Sequence, residues 1–174
     1  MITNERIALL IDGASLHQTV RNLGFEIDFR RLVHEFQTYG TILRAFYYTT
    51  IREDQFSSVR PLLDWLDYNG FTVRTKPARE HDDGEGRRTT KRSMGVDLAV
   101  DALEIASHVD HIFLFSGDSN FRRAIESVQR TGVKVSVVSS LRTTPPTVSD
   151  ELRRQANNFI EIGMLRGSIE RAPF

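Results

Sequence analysis

The segment Ile7-Ala8-Leu9-Leu10-Ile11-Asp12-Gly13 has a counterpart later in the chain. The counterpart is Ile112-Phe113-Leu114-Phe115-Ser116-Gly117-Asp118. Each is an apolar run that stops at an aspartate next to a glycine. Continuous apolar runs are typical of strands that are covered on both faces. If the two strands are parallel neighbours, both carboxylates lie at the sheet edge where ligands of open α/β sheets bind. The sequence therefore predicts an acidic site at that edge.

Strand and helix patterns alternate along the rest of the chain. Strands are predicted at 7–11, 41–49, 71–75, 111–115 and 133–138, with an edge strand at 159–162; helices are predicted at 29–36, 56–66, 95–108, 121–128 and 148–156. This alternation predicts an α/β fold with a mostly parallel sheet and right-handed crossovers. We expect one domain over residues 1–162, followed by a loose C-terminal tail over 163–174.

Composition limits the class of protein. The chain has 174 residues, 40% of them hydrophobic and 26% charged, as in a soluble globular domain. It contains no cysteine, which excludes disulfides and thiolate metal sites. Its 23 basic and 23 acidic residues balance, so that nucleic acid would have to bind a local patch. No apolar run approaches the roughly 20 residues that span a bilayer. We expect a cytoplasmic protein. A partly exposed helix could also mediate a homodimer.

A polar segment at 79–93 separates the third strand from the next helix and predicts a mobile loop. It carries a basic run whose cations are Arg87, Arg88, Lys91 and Arg92, with two threonines between them. Such a run suits the phosphate backbone of a nucleic acid. The alternative is a loop whose charges are simply solvated.

The helix after this segment carries an acidic stripe. Asp97 and Asp101 are four residues apart and share a helix face, and Glu104 and His108 extend it as a solvated polar face. We expect Asp97 to point into the cleft and keep Asp101 as a second candidate. Oxygen ligands without cysteine favour Mg²⁺ or Mn²⁺. The alternative is that Asp12 belongs to a turn and that the other strand-end aspartate only caps a helix.

Several familiar nucleotide and hydrolase motifs are missing from the sequence. No phosphate-binding P-loop and no G-x-G-x-x-G fingerprint follows a predicted strand. The G-x-S-x-G nucleophile elbow is also absent. These absences leave the strand-end carboxylates as the main candidate for chemistry.

Taken together, the segments at 7–16, 91–103 and 114–121 resemble the NYN domain family of the PIN-like nuclease fold, in particular its bacterial LabA-like branch. The resemblance implies a single-domain, three-layer α/β/α fold with strand order 3-2-1-4-5. It also implies that Asp12, Asp97 and Asp118 are the catalytic residues and hold the metal. Members of the PIN-like group typically cleave RNA with Mg²⁺ or Mn²⁺.

Two positions depart from the family pattern. Ser15 stands near a position where the family usually has asparagine, and Asn120 stands where it usually has a second aspartate. An amide oxygen can bind a cation but brings no negative charge. We therefore expect weaker metal binding than in other members. Ser15 and Asp101 would support the site, and Ser116 and Asn120 would orient water or phosphate.

Three functions fit this sequence. The first is a metal-dependent endoribonuclease that hydrolyses RNA phosphodiester bonds at the acidic strand ends. The second is a non-catalytic RNA- or protein-binding regulatory module on the same fold. The third is a small-molecule phosphotransfer enzyme that uses the same acidic edge.

Overall fold

The protein was analysed as a computed structural model that describes residues 4–82, 88–91 and 94–172, with backbone alone described at 79–82 and 88–91. Its strands are β1 (Arg6–Asp12), β2 (Thr41–Ile51), β3 (Phe71–Pro77), β4 (Arg79–Asp82), β5 (Arg88–Lys91), β6 (His111–Phe115), β7 (Lys134–Ser139) and β8 (Asn158–Glu161). Its helices are α1 (Gly13–Leu23), α2 (Phe29–Phe36), α3 (Phe56–Tyr68), α4 (Gly95–Ile105), α5 (Arg122–Gln129), α6 (Asp150–Gln155) and α7 (Arg166–Ile169). Short 3-10 helices lie at Glu53–Gln55, Ser119–Phe121 and Ile162–Leu165.

A six-stranded sheet in the order β3-β2-β1-β6-β7-β8 forms the middle layer. All five of its strand pairs are parallel. The predicted order 3-2-1-4-5 is confirmed, because it corresponds to the first five strands of this sheet, and β8 adds the sixth strand at the edge. β1 and β6 are neighbours, with Ile11 opposite Phe115, so the two sequence motifs end side by side.

Helices cover both faces of the sheet and give the predicted three layers. The first core joins Leu9 and Ile11 of β1 to Leu16, Leu32 and Leu66 from α1, α2 and α3. The second core joins the alternate strand residues to helices on the other face, and its members include Leu10, Leu98, Ile125 and Leu152. Apolar β1 residues therefore pack on both sides, as their continuous run indicates.

Helix α1 is a difference from the predicted elements, which contain no helix between β1 and α2. It begins directly after Asp12, whose side chain accepts a hydrogen bond from the Ser15 backbone at 3.4 Å. Gly24 ends the helix in the left-handed conformation, with φ of 86°. Exposed polar residues break up the apolar pattern of α1, which hides its helical period in the sequence.

The expectation of a loop over 79–93 is wrong for part of that segment. The backbone of β4 pairs with that of β5 in an antiparallel hairpin, with Arg79 opposite Lys91. Strands rich in polar residues lack the apolar alternation by which a strand is predicted from sequence. The hairpin lies outside the main sheet.

The expectation of a loose tail is also wrong for the described part of 163–172. Ile169 of α7 is fully buried. The Arg31 guanidinium donates hydrogen bonds at 2.7 Å to the carbonyl oxygens of Gly167 and Glu170. One buried apolar side chain, backbone hydrogen bonds and contacts of Arg31 and Arg166 make this attachment, and none of them forms a pattern that a sequence reveals.

Candidate functional site at the carboxyl edge of the sheet

An open cleft of about 560 Å³ lies at the carboxyl edge, above the ends of β1 and β6. Asp12, Ser15, Asp118 and Asn120 line it together with residues at the start of α4 and the end of β2. The structure thus brings both strand-end aspartates to one cleft, where the parallel strands place them.

Ser116 connects the two acidic segments. Its hydroxyl donates to Oδ2 of Asp12 at 3.1 Å and accepts from the backbone N–H of Asp118 at 3.2 Å. Ser116 is buried, with 1% of its surface exposed, so its hydroxyl is held in this position. The Ser15 hydroxyl makes a second link across the cleft by accepting from the backbone N–H of Gly117 at 3.4 Å. These bonds fix the orientation of the Asp12 carboxylate relative to the β6 end.

Both aspartates also cap short elements, as the alternative interpretation of the sequence holds. Asp12 caps α1, and Asp118 accepts from the Asn120 backbone at 2.9 Å to cap the 3-10 helix that follows. Capping uses Oδ1 of each carboxylate. A capping role and a place in the cleft are therefore compatible.

Burial raises the pKa of Asp12 above its ordinary value, and the negative charge of Asp118 raises it further. Hydrogen bonds from Ser15, Ser116 and Ala14 lower the pKa but do not cancel the effect of burial. An ionised Asp12 is therefore costly in this cleft unless a proton or cation lies beside it.

Asp97 takes a different place from the one expected. Its Oδ2 lies 2.6 Å from the Lys76 ammonium on β3, and this contact lowers the pKa of Asp97. Asp97 is not among the residues that line the cleft, although its helix neighbours Gly95 and Leu98 are. Among residues 4–78 and 94–172, whose side chains the structure describes, no three acidic or histidine side chains lie close enough to hold a metal. The structure therefore does not bring Asp97 together with Asp12 and Asp118.

Asp101 is buried within the α4–sheet packing. Its carboxylate accepts from the Tyr48 hydroxyl at 2.8 Å and from Nε and Nη2 of the Arg74 guanidinium, at 2.5 and 2.9 Å. Burial, followed by the hydrogen bond to Asp101, raises the pKa of Tyr48. All these contacts are structural, and Asp101 is not among the residues that line the cleft.

We expect Asp101→Asn to destabilise the fold by about 2 kcal/mol, because it removes charge-assisted hydrogen bonds from the buried Tyr48 hydroxyl and the partly exposed Arg74 guanidinium. Urea unfolding measures this loss. Asp64→Asn is the matched control, since Asp64 pairs with Arg60 at an exposed position, and we expect a change within about 0.5 kcal/mol. Unchanged stability together with lost affinity for Mn²⁺ would instead assign Asp101 to a metal site.

The predicted basic patch is only partly described. Arg87 and Arg92 lie outside the described residues. The backbones of Arg88 and Lys91 stand at the two ends of β5. Their contribution to nucleic-acid binding stays a prediction.

Sequence reasoning missed the part of the cleft that α1 forms. His17, Gln18 and Arg21 are exposed on α1 and line the cleft beside Asp12. Their spacing places them on one helix face. A predicted helix after Asp12 would have revealed them.

Comparison with known proteins agrees with this architecture. The family model for the NYN domain matches residues 6–164. The chain belongs to the NYN domain family. This confirms the resemblance seen in the three sequence motifs, and the match runs from the start of β1 into the 3-10 helix at Ile162–Leu165.

The relatives of this NYN protein include LabA. The chain is 32% identical over 170 residues to the low amplitude and bright protein LabA of Synechococcus elongatus, covering 95% of this chain and 88% of LabA. It is also similar to the crystal structure of a Vibrio parahaemolyticus protein of unknown function, with a TM-score of 0.75 and 29% identity. That likeness covers 91% of this chain and 93% of the other.

Within the described residues, no helix has the length and hydropathy needed to cross a membrane.

Proposed function

We propose that this NYN protein is a metal-dependent endoribonuclease that hydrolyses RNA phosphodiester bonds in the acidic cleft. The observation that carries the proposal is the presence of Asp12 and Asp118 in one open cleft, where Ser116 bonds both the Asp12 carboxylate and the Asp118 backbone. Membership of the NYN family supports RNA as the substrate.

The chemistry of the cleft suits a divalent cation. Mg²⁺ is often bound by one or two carboxylates while it keeps several waters, and Mn²⁺ accepts similar ligands. Asp12 and Asp118 would hold the cation, with the Asn120 amide oxygen beside them. A cation would also relieve the cost of ionising the partly buried Asp12 next to a second carboxylate. When bound, it would activate a water and polarise a phosphoryl oxygen.

The remaining site residues orient groups in the cleft. Ser116 holds the Asp12 carboxylate at the end of β1, and Ser15 holds the backbone of the β6 end. The Asn120 side chain would donate a hydrogen bond to water or to a phosphate oxygen. Asp97 would join this set only when its carboxylate leaves Lys76. The cations Arg87, Arg88, Lys91 and Arg92 would steer the RNA backbone.

A non-catalytic RNA- or protein-binding module is the second candidate. Two observations favour it. Asp97 is the third predicted metal ligand, and its carboxylate forms an ion pair with Lys76. Asn120 also brings no charge to the position where the family usually has a second aspartate. Both features reduce the negative charge available to a cation.

RNA cleavage with and without metal tests the proposal. A labelled single-stranded RNA is incubated with the full chain in Mn²⁺, Mg²⁺ or EDTA, and products are resolved by length. We expect internal cleavage with either cation and none in EDTA. RNA binding without cleavage in any metal would contradict the nuclease proposal and favour the binding module.

We expect Ser116→Ala to lower the cleavage rate about tenfold or more, because it removes the bond that orients a proposed metal ligand. Ser168→Ala, at an exposed position on α7, is the matched control and should cleave as the wild type does. Equal rates for Ser116→Ala and the wild type would show that the Ser116 bond has no part in catalysis.

A further inference from the structure

A second groove lies on the other side of α1 from the acidic cleft. This groove, called the apolar groove below, has a volume of about 730 Å³, and its lining includes Val20, Phe25, Phe29, Tyr47 and Leu62. The ion-paired side chains of Glu26 and Arg171 also line it. His17 and Arg21 line both the apolar groove and the acidic cleft. Helix α1 is therefore a ridge between two adjoining depressions, with two basic side chains along its crest.

Arg21 differs from most cations of the described chain. Arg6, Arg60, Arg74 and Lys134, among others, lie within 4.0 Å of a carboxylate. Across the described residues, Arg21 has no such partner, and its side chain is exposed. An unpaired guanidinium that lines the same cleft as Asp12 and Asp118 supplies the positive charge that a phosphate needs in order to approach these carboxylates.

The apolar groove suits an unstacked base. Phe29 and Leu62, both partly exposed, supply its apolar surface, and Phe29 packs edge to face on the buried Tyr47 ring, with ring centroids 5.7 Å apart. Bases bind such surfaces only when they are unpaired, since a duplex keeps its bases stacked inside. The groove thus favours a single strand over a double helix.

We propose that single-stranded RNA crosses the α1 ridge, with a phosphate on Arg21 and His17 and a neighbouring base in the apolar groove. The inference rests on the proposed function, because it supplies the path by which RNA reaches Asp12 and Asp118. Phosphate contacts on the ridge would position the strand, and the groove would select for an unpaired base.

Fluorescence anisotropy of a labelled single-stranded RNA in EDTA measures this binding without cleavage. We expect Arg21→Glu to weaken binding about tenfold and to lower the slope of affinity against salt by about 0.7 for the lost phosphate contact. Arg44→Glu is the matched control, since Arg44 lies on β2, lines neither depression, and donates from its side chain to the carbonyl of Leu43. It should bind within about twofold of the wild type. Equal affinities for the two variants would overturn the proposal, as would the absence of binding by the wild type.

The RNA itself tests the groove without any change to the protein. We expect a blunt duplex of the same sequence to bind at least about tenfold more weakly than the single strand. An abasic nucleotide, moved stepwise along the strand, should weaken binding about fivefold or more at one position. If the duplex bound as tightly as the single strand, or if every abasic strand bound as tightly as the intact strand, the assignment of the groove to a base would be overturned.

These results distinguish the proposal for RNA binding on the α1 ridge from the proposal of nuclease activity. If the wild type cleaves RNA and Arg21→Glu binds and cleaves equally well, the ridge proposal is wrong and the nuclease proposal stands. If the binding results hold and no metal supports cleavage, the nuclease proposal is wrong and the ridge proposal stands.

Discussion

Asp12→Asn should lower metal-dependent RNA cleavage by about 100-fold or more, because it removes a carboxylate that we propose holds the cation. Asparagine is as good a helix N-cap as aspartate, so the start of α1 should remain intact. Asp28→Asn is a matched control: Asp28 caps α2 by accepting from the backbones of Arg30 and Arg31, and it does not line the acidic cleft. It should retain wild-type cleavage.

The same Asp12→Asn variant should be more stable than the wild type at neutral pH. Burial raises the folded-state pKa of Asp12, so the folded protein binds the proton more tightly than the unfolded chain does. The free energy of unfolding therefore falls as the pH rises from the ordinary carboxyl pKa through the raised pKa of folded Asp12. It stays lower at higher pH. The neutral amide of the variant avoids this cost, and its advantage should vanish in acid, where both states of the wild type are protonated.

Urea unfolding at neutral and acid pH, together with the cleavage assay, measures both effects. Wild-type cleavage by Asp12→Asn would remove Asp12 from the chemistry. Lower stability at neutral pH would contradict the claim that the Asp12 charge is costly in the fold.

Gly117→Ala should destabilise the fold by about 3 kcal/mol or more, because a methyl group does not fit. A Cβ at this position would overlap the carbonyl oxygen of Thr147 and lie 2.9 Å from Cα of Val148, and both are backbone atoms. The loop at 147–148 would have to move, and with it the bond from the Ser149 N–H to the Gly117 carbonyl.

Gly167→Ala is the matched control for this change. Gly167 lies in α7, and a Cβ there would meet no atom within 4 Å. Alanine is the better helix former, so we expect a gain of about 0.5–1 kcal/mol. Urea unfolding of both variants measures the difference, and Gly117→Ala with wild-type stability would show that the β6 end is looser than its contacts indicate.

The central fold could be predicted because buried parallel strands have a strong sequence signal. Ile7 to Ile11 and Ile112 to Phe115 are continuous apolar runs, and each ends close to its aspartate. Their adjacency follows from parallel topology, which alternating strands and helices predict. Helix α1 and α7 were missed because their contribution to the core rests on a few apolar side chains among polar ones.

The acidic site could be predicted only in part for a different reason. Asp12 and Asp118 are placed by strand ends, which the backbone pattern fixes. The position of Asp97 depends on how α4 is rotated on the sheet, and its carboxylate forms an ion pair with Lys76 on β3. Spacing along a helix tells which residues share a face but not which face meets the cleft. Arg21 was missed because it belongs to the helix that was missed.

Isothermal titration of Mn²⁺ into the wild type, Asp118→Asn and Asp28→Asn tests whether Asp12 and Asp118 form a cation site. Asp118→Asn removes one carboxylate of the proposed pair and keeps a side-chain oxygen that can cap the following 3-10 helix. We expect the wild type and Asp28→Asn to bind Mn²⁺ alike and Asp118→Asn to bind it at least about tenfold more weakly. Equal binding by all three proteins, or no binding by the wild type at millimolar Mn²⁺, would contradict a cation site between Asp12 and Asp118.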